Sequence, residues 1–245
     1  MAEPPALRDR LRPLTQARVL LGRAGQGLPT RALLDFQLDH ARARDAVHAA
    51  FEPERVAAAL GQPVIEVRSQ AADRHEYLSR PDLGRLLNPD DVASLAATGD
   101  TLAIIVADGL SATAVHAHAA PLVTALLARL AGWRIAPIVL AHQGRVALGD
   151  AIGAALGVEL AVVLIGERPG LSAPDSLGAY LTWQPRPGRQ DSERNCVSNI
   201  RPPHGLGYDA AADTIVQLLV AARRLRLTGV SLKPGADGAP PPLAS

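Results

Sequence analysis

The fold is decided by the stretch Val158-Glu-Leu-Ala-Val-Val-Leu-Ile-Gly-Glu-Arg-Pro-Gly-Leu171. Its apolar part is rich in β-branched residues, which is typical of a strand buried on both faces, and it stops abruptly at Gly166. Ligands bind at the carboxyl ends of strands in open α/β sheets, because helices cover the sheet faces. The charged pair Glu167 and Arg168 therefore marks either a ligand site or a solvated ion pair on a Pro-Gly turn.

The sequence around this strand alternates regularly between strands and helices. Apolar runs predict strands at Leu102–Val106, Arg134–Leu140 and Leu160–Ile165, and the segments between them predict helices at Ala112–Leu130 and Leu148–Leu156. Three buried strands joined by two crossover helices form a β-α-β-α-β unit, and right-handed crossovers require the strands to be parallel. The predicted fold class is α/β, a doubly wound, mostly parallel, Rossmann-like sheet with a helical N-terminal region.

The flanking segments predict further elements on both sides of this unit. In chain order these are a helix capped by Thr30 and ending near Ala50, a strand at Val64–Val67, a helix at Ser69–Leu78, a candidate strand at Tyr180–Trp183 and a helix at Asp209–Leu227. From Lys233 onward, the tail is too rich in proline and glycine to pack, so we expect it to be disordered.

Composition excludes several classes of function. Hydrophobic residues make up 48% of the 245-residue chain but aromatic residues only 3%, and the formal net charge is +1. Nucleic-acid binding is not expected, because it relies on aromatic stacking or on a basic surface. The single cysteine, Cys196, cannot form an intramolecular disulfide, no signal region follows Met1, and apolar runs such as Leu160–Gly166 are too short to cross a membrane. We therefore expect a cytoplasmic protein.

The turn Asp108-Gly-Leu-Ser111 ends the first strand of the unit and has two interpretations. Its amides and carboxylate could hold a ligand, or Ser111 could simply cap the following helix. A serine-hydrolase elbow is not present, because Thr113 stands where the second glycine would be needed. His116 and His118 lie two residues apart on a helix and point in different directions, so no metal site is predicted from them.

Two other positions lie where a ligand could be contacted. Val146 follows Gly144-Arg145 after the second predicted strand, and it could present backbone and a small apolar side chain to a flat ligand or pack into the core. Cys196 lies in a segment dense in hydrogen-bonding groups, without a histidine before His204 that would mark it as a nucleophile. A lone cysteine is usually a small buried hydrophobic residue.

Five motifs taken together resemble a known family. They are Ser79-Arg-Pro-Asp-Leu-Gly-Arg85, Ala107-Asp-Gly-Leu-Ser111, Gln143-Gly-Arg-Val146, Ile165-Gly-Glu-Arg-Pro-Gly-Leu171 and Asn195-Cys-Val-Ser-Asn-Ile200. In this order and at this spacing, they closely resemble the small, or light, subunit of ethanolamine ammonia-lyase. The resemblance extends from about Leu7 to Leu232.

The resemblance implies a subunit of an adenosylcobalamin enzyme that converts ethanolamine to acetaldehyde and ammonia by a radical mechanism. In that family a large subunit carries a (β/α)8 barrel with the substrate pocket, and cobalamin lies between it and the α/β domain of the small subunit. By resemblance, Val146, Glu167 and Cys196 fall on positions that contact adenosylcobalamin. No catalytic residue and no metal ligand is assigned to this chain.

The resemblance also implies a domain organisation and a location. Residues 1–98 form a helical N-terminal region that makes subunit contacts, and residues 99–232 form the Rossmann-like domain that contacts cobalamin. Some family members carry an N-terminal extension linked to a bacterial microcompartment. This chain starts almost at the folded region, so we expect a cytoplasmic location, and a microcompartment is the alternative. From the residues alone, a free-standing α/β enzyme acting on a nucleotide or phosphorylated metabolite through Asp108 and Glu167 stays open, as does a scaffold that binds no ligand.

Overall fold

The structure, a computed structural model of the chain, describes residues 10–11, 14–15, 18, 21–97 and 99–232. The tail predicted at 233–245 lies outside the described residues. The described part forms a six-stranded sheet with helices packed on both faces. Among the described helices, none has both the length and the apolar character that crossing a membrane requires.

The elements follow the predicted alternation, with additions at both ends. The strands are β1 (Val64–Arg68), β2 (Leu102–Ala107), β3 (Ile138–His142), β4 (Leu160–Gly166), β5 (Leu177–Trp183) and β6 (Arg194–Ile200). The helices are α1 (Thr30–His48), α2 (Pro53–Leu60), α3 (Arg74–Ser79), α4 (Ala112–Arg129), α5 (Leu148–Leu156) and α6 (Tyr208–Leu225).

The strands lie in the order β1-β3-β2-β4-β5-β6. The first four strands in this order are parallel, whereas β5 pairs antiparallel with β4, and β6 pairs antiparallel with β5. The prediction of an α/β fold with a mostly parallel sheet is therefore confirmed. Because β6 runs in the same direction as β4, the carboxyl ends of five strands meet at one edge of the sheet, together with the amino end of β5.

Strands β2 and β4 form the centre of the sheet, and every residue of both is buried. Alternate side chains point to opposite faces, so the two strands contribute to two separate apolar cores. One core packs the sheet against α2, α4 and α6, and the other packs it against α5. On the α5 side the outer strands are less covered, so Tyr180 of β5 is half-buried and Cys196 of β6 is exposed.

Helix α1 differs from its prediction at its start and in its packing. Thr30 is the first helical residue rather than the cap, because Pro29 occupies the cap position and no side chain caps the helix. Only Ala46 of the 19 residues is buried. Leu34 and Leu38 are 57% and 50% exposed, although apolar residues at helical spacing usually face a core.

Two elements begin later in the sequence than predicted, each for a local reason. Helix α3 begins at Arg74 rather than Ser69, because Asp73 caps it by accepting a hydrogen bond from the Glu76 backbone. Strand β3 begins at Ile138 rather than Arg134, directly after Pro137, which has no N–H to donate to a ladder. The sequence patterns did not predict α2 or β6.

Strand β6 was not predicted because the charged residue Arg194 is one of its buried side chains. Arg194 donates two hydrogen bonds to Asp150 of α5, Nη1 to Oδ1 at 2.6 Å and Nη2 to Oδ2 at 2.7 Å. Both side chains are 2% exposed, and Arg194 also donates to the Thr182 hydroxyl at 2.9 Å. This bidentate pair fastens the edge of the sheet to the first turn of α5.

We expect Arg194→Met to lower the free energy of unfolding by about 3–5 kcal/mol, because Asp150 would be left buried without its partner. The double variant Arg194→Met/Asp150→Leu should recover much of this loss, since it removes both charges. Urea unfolding measures both effects. Arg80→Met is the matched control, because its pair with Asp82 is exposed on both sides. An equal loss in Arg194→Met and this control would contradict the prediction.

Candidate functional site

Glu167 is the first residue after β4, at the edge where the carboxyl ends of the strands meet. Its Oε2 accepts a hydrogen bond from the Ser176 hydroxyl at 2.5 Å and another from the Asn199 backbone N–H at 3.2 Å. The β5–β6 ladder shifts register near Leu177, and Asn199 has a φ of 59°. The carboxylate thus links the ends of β4 and β6 across this irregularity.

The Glu167 carboxylate lies directly on the backbone of β5. A Cβ added to Gly178 would be 2.8 Å from Glu167 Oε1 and 3.2 Å from its Cδ, so a glycine is needed for this close approach. The carboxylate therefore points over the α5 side of β5, and not away from the protein as a solvated turn residue would. The interpretation of Glu167 and Arg168 as an ion pair does not hold, because Glu167 bonds to Ser176 and Asn199 instead.

Tyr180 and Cys196 are directly opposite each other on β5 and β6. Burial raises the pKa of Tyr180, and the nearby Cys196 and Glu167 act in the same direction. Burial also raises the pKa of the Cys196 thiol, a hydrogen bond with Tyr180 lowers it, and the charge of Glu167 raises it. Both groups therefore stay protonated at neutral pH. Glu167 lies on Gly178, two residues before Tyr180 on the same strand, so the three side chains are neighbours.

Val146 lies in the β3–α5 connection and borders the same side of the sheet. It is half-buried and packs on the α5-side core, which also contains Ile165 of β4 and contacts Tyr180. The backbone around it is fixed, because the Leu148 N–H donates to the Arg145 carbonyl at 2.9 Å. Val146 therefore presents part of its side chain to solvent from a rigid turn.

Glu167, Tyr180 and Cys196 lie on the α5 side of the last three strands of the sheet, and we call them the open sheet face. Val146 lies on the same side of the sheet, where it packs on the same core as Tyr180. The open sheet face offers a carboxylate acceptor, a phenol and a thiol, and Val146 adds a small aliphatic side chain on the same side of the sheet. It suits a flat, mostly apolar ligand that carries hydrogen-bond donors at its rim.

The Asp108 turn is occupied by contacts within the protein. The Asp108 carboxylate is 2% exposed, accepts a hydrogen bond from the Gly144 N–H at 3.1 Å and lies 3.4 Å from Nη1 of Arg74. Ser111 caps α4 by accepting a hydrogen bond from the Ala114 N–H and donates its own hydrogen to the Pro174 carbonyl. The capped-turn interpretation is the one that the geometry supports.

A second polar cluster anchors the β4–β5 loop from the opposite side of the sheet. Asp175 accepts a hydrogen bond from Arg201 Nε at 3.1 Å and lies 3.5 Å from His118 Nε2. His118 Nδ1 is 2.9 Å from the Tyr208 hydroxyl. Burial lowers the pKa of His118, and the charge of Asp175 opposes this shift. The cluster thereby holds the loop residue next to Ser176.

Sequence reasoning missed several residues of the site. Ser176 lies just before β5 and Gly178 within it, but only Tyr180–Trp183 of this strand was predicted, and Asn199 belongs to the unpredicted β6. The small residues before Tyr180 were the available signal. However, Glu167 lies 9 residues from Ser176 and 32 residues from Asn199 in the sequence, so no local pattern connects them. Among the described residues, no group of three or more His, Cys, Asp or Glu side chains is placed to hold a metal ion.

Comparison with known proteins gives the family. The family model for the ethanolamine ammonia-lyase light chain matches residues 6–233. The chain belongs to the ethanolamine ammonia-lyase light-chain family. The ethanolamine ammonia-lyase small subunit of Bradyrhizobium diazoefficiens is 58% identical over 240 residues, which cover 94% of this chain and 92% of that protein.

Two other small subunits of this family are similarly close. Those of Rhodopseudomonas palustris strain BisA53 and Pseudomonas putida strain KT2440 are 57% and 52% identical, over 93% of this chain and 90% and 87% of their own lengths. The resemblance inferred from the five motifs is confirmed, and its predicted extent agrees with the matched range. Members of this family are subunits of a lyase complex, and the chain is therefore such a subunit.

The buried Asp108 carboxylate should make stability depend on pH. Burial raises its pKa to about 6 from an ordinary 3.8, although Arg74 opposes this shift. A folded-state pKa above the unfolded value stabilises the fold below pH 3.8, and this stabilisation is lost as the pH rises through 6. Relative to Asp108→Asn, wild-type protein should therefore lose about 2–3 kcal/mol of unfolding free energy between pH 4 and pH 7.

Urea unfolding of both proteins across this pH range tests the prediction. Asp91→Asn is the matched control, because Arg68 lowers the pKa of Asp91, with burial opposing, so its pH dependence has the opposite sign. A constant difference between wild-type protein and Asp108→Asn from pH 4 to pH 7 would contradict the assignment.

Proposed function

We propose that this chain is the small subunit of an adenosylcobalamin-dependent ethanolamine ammonia-lyase, which converts ethanolamine to acetaldehyde and ammonia. In this proposal the chain is non-catalytic and helps bind the cofactor at the interface with the large subunit, through Val146, Glu167 and Cys196. One observation supports it: Glu167 and Cys196, from separate stretches of sequence that each match the family by motif, lie on the same side of the edge strands, and Val146 packs on the core of that same side. Membership of the light-chain family supports the same conclusion.

The chemistry of the open sheet face fits a corrin. A corrin ring is flat and largely apolar, and its rim carries amide side chains whose N–H groups need acceptors. Glu167 is an acceptor only, Val146 provides a small apolar contact, and the protonated Cys196 and Tyr180 add polar contact without a second charge. Adenosylcobalamin supplies the radical chemistry when it is bound, whereas this chain orients the ring and excludes water from one side.

The helical N-terminal region, residues 1–98, is proposed to make the subunit contacts. Helix α1 exposes Leu33, Leu34, Phe36 and Leu38, and an apolar surface of this kind is typical of an interface. Residues 99–232 are proposed as the Rossmann-like domain that contacts cobalamin. A cytoplasmic location is part of the proposal, with a bacterial microcompartment as the alternative.

The rival function loses its main support. A free-standing enzyme that binds a nucleotide or phosphorylated metabolite would need Asp108 and the start of α4 to be accessible. The Asp108 carboxylate accepts a hydrogen bond from the Gly144 N–H and pairs with Arg74. In the first turn of α4, the Ala114 N–H already donates a hydrogen bond to the Ser111 hydroxyl. A negatively charged phosphate would also meet the Glu167 carboxylate, which is unfavourable.

Reconstitution tests the proposal. The purified chain with adenosylcobalamin and ethanolamine should give no acetaldehyde, because the substrate pocket is assigned to another polypeptide. Adding an ethanolamine ammonia-lyase large subunit should give a co-eluting complex and acetaldehyde formation, measured with a coupled alcohol dehydrogenase assay. Hydrolysis of a phosphate ester by the lone chain would favour the free-standing enzyme, and failure to join any large subunit would favour a scaffold.

Glu167→Ala should weaken retention of cobalamin in the assembled enzyme by about 1–3 kcal/mol, because a hydrogen-bond acceptor with a charge is lost. Binding of cyanocobalamin, followed by absorbance after ultrafiltration, gives the dissociation constant. Glu159→Ala is the matched control, since Glu159 precedes the same strand at the opposite edge of the sheet and pairs with Arg223. Equal affinity of wild-type and Glu167→Ala complexes would remove Glu167 from the cofactor site.

A further inference from the structure

We infer that Ser176 is a positioning residue for Glu167: its hydroxyl holds one carboxylate oxygen so that the other is presented to donors of a bound ligand. The inference rests on the proposed function, because it assigns the corrin amides as those donors. It concerns a residue that neither the motifs nor the family comparison assigns.

The hydrogen-bond pattern of the carboxylate is asymmetric. Both hydrogen bonds that the described residues give to Glu167 go to Oε2, from the Ser176 hydroxyl at 2.5 Å and from the Asn199 N–H at 3.2 Å. A serine hydroxyl has a single hydrogen to donate, and here it is committed to Oε2. Ser176 is only 6% exposed, so water cannot readily replace it as the donor.

The other oxygen lies close to β5 at Gly178, where only a glycine leaves room for it. The Cβ that Gly178 lacks would be 2.8 Å from Oε1 and 3.1 Å from Cγ of Glu167. The absence of a side chain at Gly178 thus leaves the room in which the carboxylate lies close to β5, while the two donors on Oε2 fix its rotation. Oε1 receives neither of these two hydrogen bonds and is therefore left for a donor of the ligand.

Ser176 is itself held by groups outside the site. The Ser176 carbonyl accepts a hydrogen bond from the Glu167 N–H at 2.9 Å, which closes the base of the loop. The two residues before it are anchored on the other side of the sheet, Pro174 by Ser111 and Asp175 by Arg201. The hydroxyl position is thus set by the fold and not by the ligand.

The physical benefit is pre-organisation. An unrestrained glutamate side chain has several rotamers, and a ligand that needs one of them must bear the entropy loss on binding. In the folded protein that loss has already occurred. Removing the Ser176 hydroxyl should therefore weaken ligand binding, although Ser176 itself is not proposed to contact the ligand.

The experiment uses the assembled two-subunit enzyme and cyanocobalamin as the probe. Ser176→Ala and Gly178→Ala should each weaken cyanocobalamin binding about 5- to 20-fold, the first by freeing the carboxylate and the second by displacing it. Ser176→Thr, which keeps the hydroxyl, should restore most of the affinity. With adenosylcobalamin, the KM for the cofactor should rise in Ser176→Ala by a larger factor than kcat falls.

Two matched controls come from the same loop. Ser172→Ala removes an exposed serine hydroxyl, and Gly170→Ala adds a Cβ whose nearest contacts are an ordinary 3.8 Å. Both should bind cyanocobalamin within about twofold of the wild-type complex, because neither touches Glu167. Circular dichroism and co-elution with the large subunit verify that each variant is folded and assembled.

A double-mutant cycle separates positioning from general structure. In the Glu167→Ala background, Ser176→Ala should cause no further loss of affinity, because there is no carboxylate left to position. Additive losses, or full affinity in Ser176→Ala when Glu167→Ala binds weakly, would overturn the inference while leaving the proposed function intact. Full affinity in Glu167→Ala would instead refute the proposed role of Glu167. If Ser176→Ala fails to assemble, the same cycle with Gly178→Ala decides between these outcomes.

Discussion

The parallel pairing of β2 with β4 is the constraint on which the rest of the structure depends. Six consecutive residue pairs, from Leu102–Leu160 to Ala107–Ile165, align the two strands, and all of these residues are buried. Because both strands end at the same level, the turns that follow them are brought side by side. Gly109 fits here only because it lacks a side chain, since a Cβ would lie 2.3 Å from the Gly166 carbonyl oxygen.

The antiparallel extension by β5 and β6 gives this edge its chemistry. Reversal of β5 places Ser176 and Gly178 beside the end of β4, where they receive Glu167. The buried pair of Arg194 and Asp150 then fixes β6 against α5, so Cys196 on the open sheet face cannot shift independently. The candidate site is therefore held by charge and hydrogen bonding at its borders, whereas its centre is apolar or neutral. This distribution suits the proposed contact with a ligand whose polar groups are peripheral.

The sequence predicted correctly those elements whose signal lies within a few consecutive residues. The apolar runs of β2 and β4 and the Ser111 cap were predicted because each signal is local. Sequence reasoning failed for β6, whose buried residues Arg194, Val197 and Ile200 lie three apart and include a charge, and for β3, which begins only after Pro137. The apolar pattern of α1 predicted burial that the chain by itself does not provide, as the exposed Leu34 illustrates.

The sequence by itself determined the α/β class, the family and the three candidate residues Val146, Glu167 and Cys196, because local periodicity and ordered motifs are written along the chain. Only the tertiary structure decided the strand order, the enclosure of Asp108 and the support of Glu167 by Ser176, Gly178 and Asn199. These features join segments that are distant in sequence, and their energies depend on distance and burial, which no local pattern records.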